Sequence, residues 1–175
     1  MNGPDRSLLT RRELLLASAC ALGAAALWPR GARAADPAWL EAARKMPLVY
    51  VSPLLANGNE SRCHGEVWFF VDGNDVVLAT ATDTWKARAL GLGRNRARIW
   101  VGDFGPYAGA KDKLAGAPSF VATAKLDKDR AVFDRLLAAF AVKYADEWGK
   151  WKPRFESSYA DGSRIVIRYS GPGAA

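Results

Sequence analysis

Between Thr80 and Arg88 the chain reads Thr-Ala-Thr-Asp-Thr-Trp-Lys-Ala-Arg, which sets the hydroxyls of Thr80, Thr82 and Thr84 ahead of the cations Lys86 and Arg88. If a helix opens near Trp85, its first amides have no intrahelical partner and attract an anion, and Lys86 falls in the first turn. The chemistry that this spacing favours is phosphate binding, specific for the group held and not for the molecule that carries it. The alternative is a capped surface helix with solvated charges. A second pair, Cys63-His64, contains the single histidine of the chain. Neighbours on a strand point to opposite faces, so this thiol and imidazole do not make a nucleophile and its base. His64 is then either a half-buried strand residue with no special role or a haem or metal ligand. One histidine excludes a His-rich metal site, and no GxSxG, HExxH, GxGxxG or P-loop pattern is present.

The elements that must position these residues follow from periodicity and punctuation. Asp36-Pro37 opens a short helix that runs to about Lys45 and ends before Pro47. Leu48 to Leu55 is a strand with a proline interruption, which favours an edge or a bulge. A second strand covers Glu66 to Val71, Asp72-Gly73-Asn74 is a hairpin signal, and Val76 to Thr80 returns. Thr82 or Asp83 caps a short helix through Leu90, with Gly91 or Gly93 closing it. Arg98 to Gly102 is the next strand, 104–117 is an irregular loop, and Pro118 to Leu126 is a fifth strand. From a cap at Asp127, Val132, Phe133, Leu136, Leu137, Phe140 and Tyr144 form one apolar helical stripe. Trp148 to Tyr159 is aromatic, basic and aperiodic, and 146–163 is a candidate cap for a cleft. Arg164 to Tyr169 alternates as a last strand. The expectation is a mainly β fold with peripheral helices: six short strands forming one small antiparallel barrel.

Composition places limits on partners. The 175 residues carry a formal net charge of +7, two cysteines and 19 aromatics, which excludes disordered, collagen-like and disulfide-rich classes. The charge is unevenly placed. Residues 1–34 read as a cleavable export signal: Arg6, Arg11 and Arg12 precede an uncharged run from Leu14 to Trp28, and Ala32-Arg33-Ala34 is a small-x-small site. That run is short for a membrane span, which needs about 20 residues. A lipoprotein reading through Cys20 is weaker. Cleavage near Ala34 leaves 20 basic and 16 acidic groups, a net charge of +4, and one cysteine, Cys63. No internal disulfide and no stable membrane anchor are then expected in the single domain 35–175. Arg88, Arg94, Arg96 and Arg98 lack an aromatic stacking platform, so a solvated basic edge is expected and not a nucleic-acid partner.

Two resemblances extend this reading. Thr10-Arg11-Arg12-Glu13-Leu14-Leu15 resembles a twin-arginine signal, with Leu14 where Phe is more usual; it implies export of an already folded protein to the periplasm or another extracytoplasmic space. The order Asn57-Gly58, Val67-Trp68-Phe69, Thr80, Thr84-Trp85-Lys86, Leu90, Arg94-Asn95-Arg96 and Ile99-Trp100-Val101 resembles the core of the pyridoxamine 5'-phosphate oxidase-like split barrels. Lys143-Tyr144 resembles a Lys-Tyr-Gly element of several subfamilies, with Ala145 in place of Gly. The resemblance covers about residues 40–170. It implies a split barrel that binds FMN or the deazaflavin F420, acts as an oxidoreductase on a small molecule, and forms a homodimer with the cofactor at the subunit interface. Thr84 and Lys86 would contact the cofactor phosphate, with Thr80 beside the phosphate or ribityl chain and Arg88 close by; Val67, Trp68 and Phe69 would run along the ring system. The sequence departs from the pattern in two places: no Arg stands in the strand from Glu66 to Phe69, and Arg96 replaces the usual Pro. The resemblance assigns no catalytic acid or base. The alternative function is a non-catalytic haem or small-ligand carrier on the same barrel, in which His64 matters more than Lys86.

Overall fold

Apolar residues at every second strand position fill the interior of the molecule. In the computed structural model, which describes residues 36–172, Val49 and Val51, Val76 and Leu78, and Ile99 and Val101 all point into one buried cluster. The expected export signal, 1–34, lies outside the described residues. Among these residues no helix is long and apolar enough to cross a membrane.

The chain order is α1 (Ala38–Lys45), β1 (Leu48–Pro53), β2 (Gly65–Trp68), β3 (Phe70–Asp72), β4 (Asp75–Ala81), α2 (Trp85–Gly91), β5 (Arg96–Gly102), α3 (Tyr107–Ala110), a 3-10 stretch Lys111–Gly116, β6 (Ser119–Asp127), α4 (Arg130–Lys143), α5 (Ala145–Ala160) and β7 (Arg164–Ser170). All strand pairs are antiparallel, in the order β2-β1-β5-β6-β7-β4-β3. The fold is mainly β with peripheral helices, as the sequence predicts. Seven strands are present where six are expected, because the stretch from Glu66 to Val71 changes partner at Phe69 and divides into β2 and β3. The Asp72–Asp75 pair closes a two-residue turn in which Gly73 takes φ +65°, a conformation that glycine adopts without strain.

Three apolar clusters hold the elements together. Trp39, Leu40 and Ala43 of α1 join the interior of the barrel, and Trp39 stacks on Phe120 with ring centroids 3.8 Å apart. The outer residues Phe70, Val77, Ala79 and Val166 pack under α4 and α5. Tyr50 and Trp100 on the opposite outer face are covered by Ala110 and Leu114, so the expected irregular loop contains one turn of helix and a 3-10 stretch. The region that reads as aperiodic, 148–159, is helical. Its buried residues Trp148 and Phe155 are seven apart, two turns on one face, with Pro153 between them. The expected caps also move: Thr84 caps α2, and Asp129, not Asp127, caps α4.

One charged cluster is built into the frame. Arg168 of β7 donates from Nε to Asp127 at 2.8 Å, from Nη1 to Asp75 at 2.9 Å and from Nη2 to Asp72 at 2.6 Å, and Arg135 of α4 also reaches Asp72. Burial opposes the Arg168 charge, but the three carboxylates outweigh it and raise its pKa. The same bonds hold the Asp72 carboxyl below its ordinary range.

Candidate functional site

Strand pairing leaves a gap in the barrel wall. β4 pairs with β3 only from Asp75 to Val77, so on that side Leu78 to Ala81 have no strand beside them. β2 pairs with β1 and has no strand on its other side. The two free edges face each other across a wedge that starts at Phe69, and the unpaired N–H and C=O groups along them are available to a ligand. The barrel is therefore closed by one continuous strand and split beside it.

The apex of the wedge is locked from outside. The Tyr144 hydroxyl accepts the Phe69 N–H at 2.9 Å and donates to the Pro47 carbonyl at 2.7 Å, with the Phe69 carbonyl at 3.0 Å. It thus replaces the ladder bonds that Phe69 lacks where pairing passes from β1 to β4. Lys143 adds a bond to the Phe69 carbonyl at 3.3 Å and lies 3.4 Å from the centroid of the Phe69 ring. Burial lowers the Lys143 pKa to about 8 and raises that of Tyr144. The Tyr144 ring lies flat on Trp68, with centroids 4.3 Å apart, and so fixes an indole that faces the wedge. The resemblance picks out Lys143-Tyr144; the structure gives the pair a mechanical role.

The phosphate-type residues gather at the other end. Thr84 donates to the Ala81 carbonyl at 2.9 Å and caps α2, and the buried Thr80 hydroxyl lies 3.0 Å from the Thr84 hydroxyl. Since the Thr84 proton is on Ala81, Thr80 is the donor of that pair. Both hydroxyls are thus engaged in setting the turn from β4 into α2. Lys86, in the first turn of the helix, is half-buried, and its Nζ approaches β2, where a Cβ placed on Gly65 would be in ordinary contact with it at 3.5 Å. It has no ion pair and no hydrogen bond among the described residues. Burial lowers its pKa, opposed by the charge of Glu66 and by Cys63. Arg88 is exposed on the same helix. Of the expected ring-side residues, Val67 faces the interior, Phe69 is fully buried there, and Trp68 faces outward.

Outside the wedge lies a cleft of about 470 Å³ lined by Leu48, Glu66, Val67, Trp68, Ala79, Glu147, Trp151, Phe155 and Arg164. Helix α5 forms its far wall, in the place of the expected cap. The Trp68 and Trp151 rings meet edge to face at 6.3 Å. Trp151, Phe155 and Arg164 are absent from the sequence-based site because they become neighbours of Trp68 only once α5 folds over β7. His64 belongs to a different pocket. Its ring stacks on Tyr107 with centroids 4.7 Å apart, and its Nε2 is 3.4 Å from Glu60. Among the described residues no group of three or more His, Cys, Asp or Glu is arranged to hold a metal ion.

This geometry defines a split β-barrel with an aromatic cleft at the split and an unpaired lysine at its end. At the level of sequence, no family model and no curated protein matches the chain. Solved structures do match. A conserved hypothetical protein of Mycobacterium tuberculosis is similar with a TM-score of 0.53 at 15% identity, over 76% of this chain and 78% of that one. Campylobacter jejuni ChuZ gives 0.52 at 12% identity, over 75% of this chain and 50% of that one. A candidate pyridoxamine 5'-phosphate oxidase of Listeria innocua gives 0.47 at 12% identity, over 76% and 90%. The likeness is one of fold.

Proposed function

We propose that this chain is an exported split-barrel protein that binds FMN or the deazaflavin F420 in the wedge and acts as an oxidoreductase on a small molecule. The observation that carries the proposal is Lys86: a half-buried cation that feels the charge of Glu66 but forms no salt bridge among the described residues, at the end of a gap between two free strand edges. A phosphate supplies the missing charge. The residues present fit such a group, since Thr80 and Thr84 fix the turn that carries Lys86, its ammonium lies beside the free edge of β2 at Gly65, and Val67 and Trp68 offer backbone edge and aromatic surface along the wedge. Arg88 adds positive charge nearby. A flavin or deazaflavin bound there supplies hydride transfer; the chain itself anchors the phosphate, orients the ring system and excludes water with Trp68, Trp151 and Phe155.

The protein purified from its own host is expected to carry a flavin or deazaflavin absorption band, and Lys86→Ala to lose cofactor retention about tenfold to a hundredfold, the worth of a charge-assisted bond of about 1.5–3 kcal/mol. Unchanged retention in Lys86→Ala would remove the phosphate assignment. A Soret band in place of a flavin band would move the assignment to haem, with His64 as the first ligand to test. Export through the twin-arginine route calls for a mature N-terminus near Ala35 and its loss when Arg11 and Arg12 are changed to Lys. The proposed homodimer, with cofactor at the interface, is tested by mass in solution with and without FMN.

A further inference from the structure

Strand β7 carries two half-buried arginines four residues apart, and their surroundings are opposite. Arg168 is ringed by three aspartates. Arg164 has no carboxylate within ion-pair distance among the described residues, and it lines the cleft. A guanidinium stays charged throughout the physiological range, so burial without a partner is costly, several kcal/mol for a fully desolvated ion. Its orientation is fixed all the same. Nε donates to the Ser158 hydroxyl at 2.8 Å and Cζ stands 4.1 Å over the Phe155 ring. Both contacts come from α5 and leave the two terminal nitrogens uncommitted, the edge that pairs with a carboxylate or phosphate in bidentate fashion.

The rest of the cleft agrees with an incoming anion. Burial and the neighbouring Arg154 both disfavour the Arg164 charge, so the site is short of negative charge. Neither acid of the lining forms an ion pair with Arg164, and each has another partner. Glu66 accepts the Tyr107 N–H at 3.0 Å, and Glu147 accepts the Trp151 indole N–H at 3.2 Å. The remaining walls, Trp68 and Trp151, are flat and apolar.

We propose that Arg164 is the recognition group for the acid function of a planar small-molecule substrate, which enters the cleft alongside the two tryptophans with its carboxylate or phosphate directed at the base of β7. This rests on the reading of the cleft as the substrate side of the cofactor site, and it assigns a second anion position, separate from Lys86. The shared chemistry is an anion, so the cofactor's own phosphate is the competing source.

The test uses two probes of equal shape, 4-nitrobenzoate and 4-nitrobenzamide, titrated into the purified protein by tryptophan fluorescence quenching. The expected result is at least tenfold tighter binding of the acid, a preference lost in Arg164→Gln, partly kept in Arg164→Lys and unchanged in the surface control Arg130→Gln. Circular dichroism of each variant shows that the barrel is intact. Equal binding of the two probes, no binding of either, or a preference that survives Arg164→Gln overturns the proposal. A parallel titration with FMN and riboflavin separates the sources: if Arg164→Gln removes the discrimination between these two instead, the anion is the cofactor phosphate and the substrate assignment fails. Neither nitrobenzene probe needs a bound cofactor, so a negative result for Lys86→Ala leaves this test informative.

Discussion

Lys86, Arg164 and Arg168 are three cations in partial burial, and their partners separate a ligand site from a structural one. Arg168, with a side chain only 11% exposed, is satisfied by Asp72, Asp75 and Asp127 and belongs to the frame. Replacing it by Met leaves three carboxylates close together, and a loss of about 3–5 kcal/mol is expected at neutral pH. The pH dependence has a definite sign. Asp72 has a folded pKa below its unfolded value of 3.8, so its contribution is complete above that value and is lost as the pH falls through the folded pKa. Urea denaturation should therefore show the wild type weakening below about pH 4, and the gap to Arg168→Met narrowing there. An equal gap at pH 7 and pH 3 would exclude an electrostatic origin.

At the scale of elements, the turn from β4 into α2 and the apex of the wedge are the two constructed joints. Tyr144→Phe keeps the ring on Trp68 but deprives the Phe69 N–H and the Pro47 carbonyl of their partner. The expected cost is about 1–3 kcal/mol, read from the denaturation midpoint, with a loosened Trp68 reported by its fluorescence. A variant as stable as the wild type would show that the hydroxyl does not lock the apex. Much of this level was legible in the sequence. The Asp72-Gly73 hairpin, the stripe on α4 and the alternation of β7 were visible from turn chemistry and period, and β1, β4 and β5 from short apolar runs that are buried on both faces. Helix α5 was hidden, since only Trp148 and Phe155 are buried, while Pro153 and the interleaved Lys150, Lys152 and Arg154 obscure the spacing. The division of β2 from β3 was equally hidden. Inward and outward residues alternate without a fault from Val67 to Val71, and only the hydrogen-bond partner changes. Of the site, the sequence shows Thr80, Thr84 and Lys86 as neighbours, but Arg164 lies some eighty positions away and its lack of an acid partner is a property of the folded surroundings alone.

For the whole molecule, the split gives unequal resistance to opening. Strands β1, β5 and β7 have partners on both sides over most of their length, whereas β2, β3, the far half of β4 and most of β6 are held on one side only. Local opening is easiest where backbone bonds are fewest. Amide hydrogen exchange is expected to be fast in Gly65–Trp68 and Leu78–Ala81 and slowest in β1 and β5, and FMN should slow the first two segments selectively. Uniform protection across the sheet, or slowing spread over all strands, would place the ligand elsewhere.

Phe69 gives the barrel one more property. At that residue the ring is completed by peptide bonds and not by a ladder, so the two sides of the wedge are leaves joined at a hinge of fixed length. A cut in the chain there, by protease or by circular permutation, would free β2 from β3 and turn the closed cylinder into an open sheet with two unprotected edges. The Tyr144 clasp over this single residue is thus what stands between a closed barrel and one prone to strand exchange.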